Sequence, residues 1–133
     1  MPVSYTIDSQ HKLIRTVCTD PLTLQETLDH FRQLQDDPAC PGHLDALLDV
    51  RKTNRLPDSK ELAAIGEEIL RVRARVKFGK CAIVASQDAM YGMMRVFEVM
   101  SNRYIGSVRV SRDAVEAEGW LAEPLSQSGE KSA

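Results

Sequence analysis

Long hydrophobic runs, a charge of one sign, aromatic rings and paired cysteines are all scarce in this chain of 133 residues. No apolar run approaches the ~18 residues that a membrane-crossing helix needs. Met1-Pro2-Val3-Ser4-Tyr5 lacks the basic segment and apolar core of an export signal, so the expected address is the cytoplasm. A formal net charge of -2 sets up no field that would gather a polyanion, and aromatics at 5% offer few platforms for stacked bases. No nucleic-acid partner is expected. The three cysteines, Cys18, Cys40 and Cys81, are odd in number and widely spaced without a Cys-x-x-Cys pair, which fits reduced thiols better than a disulfide framework. Glycine-rich phosphate loops, serine-triad patterns and nucleotide fingerprints are missing as well. The chain therefore reads as non-enzymatic, with no cofactor and no resident metal expected.

What is present is a regular alternation of strand and helix signals. At this length a chain buries roughly two-thirds of its unfolded surface, so a single domain over 1–122 is expected, with the polar, Ser-rich 123–133 as a flexible tail. Tyr5 to Ile7 and Leu13 to Cys18 read as a hairpin. Thr23 and Glu26 form a capping-box pattern ahead of Leu24, Leu28, Phe31 and Leu34 at helical spacing. Prolines and glycine in Asp36 to Gly42 break that helix. Asp45 to Val50 reads as a short buried strand, and Arg51 to Pro57 as a polar, basic loop. Asp58 and Glu61 start a second helix with the stripe Leu62, Ile65, Ile69 and Val72, placed to end near Ala74. Lys80 to Met100 then combines a strand (Cys81 to Ala85), a capped turn (Ser86, Gln87, Asp88) and a helix expected to end near Asn102. Ser107 to Val110 supplies a last strand, and Ser111 or Asp113 caps a final helix carrying Ala114, Ala117, Trp120 and Leu121. The order is ββαβαβαβα: an α/β fold with a mixed, mostly parallel five-stranded sheet and about four helices.

Ala82-Ile83-Val84-Ala85-Ser86-Gln87-Asp88-Ala89-Met90-Tyr91-Gly92-Met93 forms one strand-turn-helix signature, and Val108-Arg109-Val110-Ser111-Arg112-Asp113 with Trp120-Leu121 forms a closing strand and helix. On these residues the chain resembles the STAS-type proteins, specifically their SpoIIAA-like branch, related in fold to anti-sigma-factor antagonists and to CRAL-TRIO lipid carriers. The likeness spans about residues 3 to 121. Two mechanisms are implied by it. Anti-sigma-factor antagonists use a phosphorylatable serine at a helix N-terminus, whose nearest match here is Ser59. The lipid carriers imply instead an apolar ligand, a peripheral membrane contact or another partner surface.

The residues themselves lean toward the second. In the helix after Ser86, Ala89, Met90, Met93, Phe97 and Met100 make one stripe, and Tyr91, Met94, Val96 and Val99 cover much of the remainder. A helix apolar nearly all round must be buried on more than one side, which calls for a neighbouring helix, a ligand or a second copy, and a homodimer is expected. The predicted site lies at the carboxyl ends of the parallel strands, bounded by Asp49, Arg51, Ser86 and Tyr91, with Met90, Met93, Met94 and Phe97 as apolar wall. Its alternatives are phosphorylation-controlled regulation through Ser59 and an enzyme using Asp49, Arg51 and Tyr91. Asp45 and Asp49 share a strand face about 13 Å apart, too far to act on one bond, so strand-end hydrogen bonding is expected of them. Cys40 and His43 have half the spacing of a metal site, and a second pair is missing. Arg51, Lys52 and Arg55, and separately Arg71, Arg73, Arg75, Lys77 and Lys80, form basic clusters that would attract an anionic headgroup if they converged.

Overall fold

A computed structural model describes residues 2–123. In chain order the elements are β1 (Val3–Asp8), β2 (Leu13–Thr19), α1 (Leu24–Asp36), β3 (His43–Lys52), α2 (Ser59–Val72), β4 (Lys77–Val84), α3 (Asp88–Met100), β5 (Ser107–Ser111) and α4 (Ala114–Ala122). One sheet has the order β1-β2-β3-β4-β5, with β1 antiparallel to β2 and the other neighbours parallel. This is the expected α/β arrangement. The tail predicted at 123–133 lies outside the described residues, except for Glu123.

Side chains at the helix starts explain where the helices begin. Thr23 accepts from the Glu26 amide while the Glu26 carboxylate accepts from the Thr23 amide, and Asp58 and Glu61 repeat the exchange for α2. Asp113 accepts from the Glu116 amide and settles the cap of α4. Each such cap contributes about 1 kcal/mol. The third helix departs from expectation: Gln87 holds the N-cap position without a side-chain cap bond, because its amide donates to Asn54 Oδ1 at 3.0 Å instead.

Several boundaries move for identifiable reasons. β3 continues through Arg51 and Lys52, which the basic loop was expected to include, because Lys52 aligns with Thr19 and the Arg51 side chain is occupied by Asp49. α2 stops at Val72 rather than Ala74, and β4 begins at Lys77. The alternation of exposed Lys77 and buried Phe78 is the period of that strand. α3 ends at Met100, and a 3-10 turn over Ser101–Arg103 replaces its expected last residues.

Along β3 the alternate residues divide between two layers. Leu44, Ala46, Leu48 and Val50 join the core beneath α1, α2 and α3, together with Leu34, Leu62, Ile69, Met90, Met94 and Phe97. Leu47 points the other way and packs with Ala82, Val84, Ala117, Trp120 and Leu121 under α4. β4 is thus covered on both faces, which is why Cys81 to Ala85 is an unbroken buried run. Lys80, also buried, ties α4 to the sheet by donating to the Trp120 and Glu123 carbonyls, with its ammonium 5.3 Å from the Trp120 ring centroid.

Two glycines give opposite tests of this packing. A Cβ at Gly106 would lie 2.6 Å from the Gly79 carbonyl oxygen, whereas one at the exposed Gly92 of α3 would meet nothing within 4 Å. Gly106→Ala should lose about 2 kcal/mol of stability through backbone displacement, and Gly92→Ala should gain roughly 0.5 to 1 kcal/mol. Urea unfolding of the two variants measures both signs.

Candidate functional site

The helices on the α1–α3 side do not fill the space above the sheet. A cavity of about 140 Å³ remains there, floored by residues such as Ile14, Ala46 and Leu48 and walled by Phe31, Leu62, Ile65, Met90, Met94 and Phe97. Its rim carries Thr23, Arg55, Pro57 and Glu61, which stand where α1 and α2 begin. The cavity therefore opens at the carboxyl ends of the parallel strands, the usual location of ligand sites in open α/β sheets.

Two residues of the lining each bury a polar atom. His30 Nδ1 and Thr53 Oγ1 are buried without a hydrogen-bond partner, in residues 9% and 2% exposed, and both residues line the cavity. His30 is held between aromatic rings, 5.3 Å from both the Tyr5 and Phe31 centroids. Burial pushes its imidazole down to about 4, so it is neutral at pH 7. Two thiols also line the cavity. Burial pushes Cys18 up to about 11 and Cys81 up to about 12, which removes the thiolate that nucleophilic chemistry requires. The charged lining residues are Arg55 and Glu61, and they pair with each other.

The residues predicted from the sequence are divided among separate places. Met90, Met94 and Phe97 line the cavity, and Met93 is half-buried against the same core. Asp49 aligns with Val84, whose side chain belongs to the α4 layer, so Asp49 lies on the opposite sheet face. Arg51 binds it through Nε at 3.0 Å and Nη2 at 2.8 Å, and these bonds hold the Asp49 carboxyl below its ordinary range. Ser86 is exposed and its carbonyl accepts from Arg112 at 3.2 Å, while the Arg112 guanidinium lies 4.3 Å from the Tyr91 ring centroid. Asp49, Arg51, Ser86 and Tyr91 therefore do not close one pocket with the methionines. Ser59 is the exposed first residue of α2.

The remaining candidates also find local partners. Asp45 accepts from the Lys80 amide and Asp49 from the Arg51 amide, the strand hydrogen bonding expected of them. Cys40 is buried and His43 exposed, and among the described residues no group of three His, Cys, Asp or Glu side chains could hold a metal ion. Within the basic clusters, Arg51 pairs with Asp49, Arg55 with Glu61 and Arg71 with Glu68, while Arg75 donates to the Asp37 and Cys40 carbonyls. No helix among the described residues is long and apolar enough to cross a membrane. The outer side of α3 exposes Val96 (44%) and Val99 (72%), so the second-side burial expected from its composition is not provided by the neighbouring elements.

His30 and Thr53 are lining residues that sequence reasoning passed over, while Arg55 was read only within a basic cluster and Glu61 only as part of a helix start. The available signal was on α1, where Thr27, His30 and Phe31 share the helical spacing of Leu34 and place polar atoms on an apolar stripe. No family model, curated protein or solved structure matches the chain.

The unpartnered atoms have thermodynamic consequences. Thr53→Val removes a buried hydroxyl that bonds to nothing, and thermal unfolding should show a gain of about 1 kcal/mol. For His30, the unfolded imidazole titrates near 6.5 and the folded one near 4, so between these values the unfolded chain binds the extra proton. Stability is fully present above about pH 6.5 and falls as the pH drops toward 4. Between pH 7.5 and 4.5 this contribution is about 2 to 3 kcal/mol, and His30→Phe should lose that much less than the wild type in urea unfolding at the two pH values.

Proposed function

We propose that this chain is a non-enzymatic binding module that holds a small lipophilic molecule in the cavity beneath α1, α2 and α3, and that it belongs with the STAS-type, SpoIIAA-like proteins it resembles. The observation that carries the reading is an apolar cavity of about 140 Å³ at the carboxyl ends of the strands. An engineered cavity of about 150 Å³ lined by aliphatic and aromatic groups admits benzene, so the space suits one ring or a short chain. It is too small to enclose a two-chain lipid. Met90 and Met94 suit such a wall, because unbranched thioether side chains adjust to different shapes.

The chemistry of the lining supports binding over catalysis. Its thiols are held protonated, its histidine is neutral without an orienting carboxylate, and Arg55 and Glu61 neutralise each other. The phosphorylation reading through Ser59 has less support. Asp58 and Glu61 already satisfy amides at the start of α2, and a phosphate there would meet two carboxylates.

A titration of the full chain with benzene, followed by backbone amide NMR shifts, tests the proposal. Shifts should concentrate at Met90, Met94 and Phe97 with a roughly millimolar or tighter Kd, and Ile65→Phe, which fills the space, should abolish them while remaining folded. Absence of shifts in the wild type, or shifts unchanged in folded Ile65→Phe, would contradict it.

A further inference from the structure

β1 forms one margin of the sheet, and the register of its bonds to β2 decides what it presents outward. The Thr19 amide donates to the Pro2 carbonyl at 2.8 Å, and the pairing continues from Val3 with Cys18, Ser4 with Val17 and Tyr5 with Thr16 to Asp8 with Leu13. Hydrogen-bonded and non-hydrogen-bonded pairs alternate along an antiparallel ladder. Pro2, Ser4, Thr6 and Asp8 therefore bond inward to β2, while the amides and carbonyls of Val3, Tyr5 and Ile7 point away from the sheet. Among the described residues these outward groups have no backbone partner.

Proteins ordinarily blunt such an edge with a charge, a proline or a bulge. Val3 to Ile7 contains no charge and no proline, and its pairing with β2 is unbroken. The opposite margin differs. β5 has five residues and exposes Arg109 at its centre, so an antiparallel copy centred there would set two arginines against each other.

The strand is also complementary to itself. In an antiparallel pair centred on Tyr5, Val3 faces Ile7 of the second copy and Tyr5 faces its own counterpart. These are the residues whose backbone groups point outward, so each facing pair exchanges two hydrogen bonds. Val3, Tyr5 and Ile7 are half-buried against the core beneath α1, and the pairing continues their apolar row across the axis. On the other face, the exposed Ser4 and Thr6 come opposite each other, hydroxyl to hydroxyl.

We propose that β1 is a self-association edge: two copies of the chain pair their β1 strands antiparallel about a two-fold axis at Tyr5 and join two five-stranded sheets into one. The contact is isologous, and the strand matches itself in length, hydrogen-bonding pattern and side-chain type. An interface one strand wide belongs with the smaller ones, so the dimer is weak, with a Kd of roughly 10 to 100 μM. The homodimer expected from the sequence is thus assigned to β1 rather than to α3, whose exposed Val96 and Val99 specify neither an orientation nor a register.

Sedimentation equilibrium of the full chain from about 5 to about 500 μM, with amide hydrogen exchange by NMR at both ends of that range, reads the pairing. The mass should rise toward that of a dimer, and the Val3, Tyr5 and Ile7 amides should exchange at least about threefold more slowly at the high end. The Ser4 and Thr6 amides, held by β2, should be protected at both ends. Ser4→Glu with Thr6→Glu sets like charges at the facing positions and should weaken the dimer about tenfold, whereas Ser4→Lys with Thr6→Glu sets opposite charges there and should return Kd to within about threefold of the wild type. Both positions are exposed, and circular dichroism checks that the two variants remain folded. A wild type that stays monomeric at about 500 μM would overturn the proposal. So would a dimer indifferent to the two double substitutions, or one whose concentration-dependent protection gathers on α3 around Val96 and Val99.

Discussion

Four parallel strands laid side by side in chain order, joined by crossovers of one hand, leave their three connecting helices a single face of the sheet. α1, α2 and α3 accordingly share one core with the sheet, and only α4, which leads to no further strand, is released to the opposite face. The remaining architecture depends on this constraint. It buries β4 on both sides, collects the apolar faces of three helices over the strands, and sets the N-termini of α1 and α2 together at the strands' carboxyl ends. The space between helices and sheet has its rim at that end.

Electrostatic ties join α1 and α2 near their C-terminal ends. Glu68, buried on α2, receives Arg71 from its own helix and lies 3.5 Å from Arg32 of α1, while Arg71 also donates to Gln35 of α1 at 3.1 Å. The Arg71 bond holds the Glu68 carboxyl below its ordinary range. Truncating a buried acid with such partners is costly because it strands their charge. At the opposite end the two helices are bordered by the Arg55–Glu61 pair, which connects the 53–58 loop to α2 and leaves the rim of the cavity between them.

The element order was legible because each element carries a local signal. Capping boxes announced α1 and α2, the hairpin showed in its β-branched residues, and the unbroken Cys81 to Ala85 run marked a strand buried on both faces. Boundaries were missed where tertiary pairing decides, as at Arg51 and Lys52, which extend β3 only because β2 and Asp49 receive them. The apolar wall was half legible: Met90, Met94 and Phe97 stood out on their helix, whereas the alternation of strand faces puts Asp49 on the other side of the sheet, and Ser86 and Tyr91 stand beside Arg112 at the start of α3. His30 and Thr53 were not legible as a pair. Each is an ordinary residue until α1 and the end of β3 are brought to one cavity, and no spacing along the chain encodes that meeting.

Central to all of this is that the space beneath α1, α2 and α3 is a persistent apolar cavity. Xenon enters dry cavities of this size and scatters strongly, so a crystal structure under xenon pressure interrogates it directly. An ordered xenon atom in van der Waals contact, about 4 Å, with Met90, Met94 and Phe97 is the expected result. Helices closed down on Ala46 and Leu48, with no xenon between them, would contradict it.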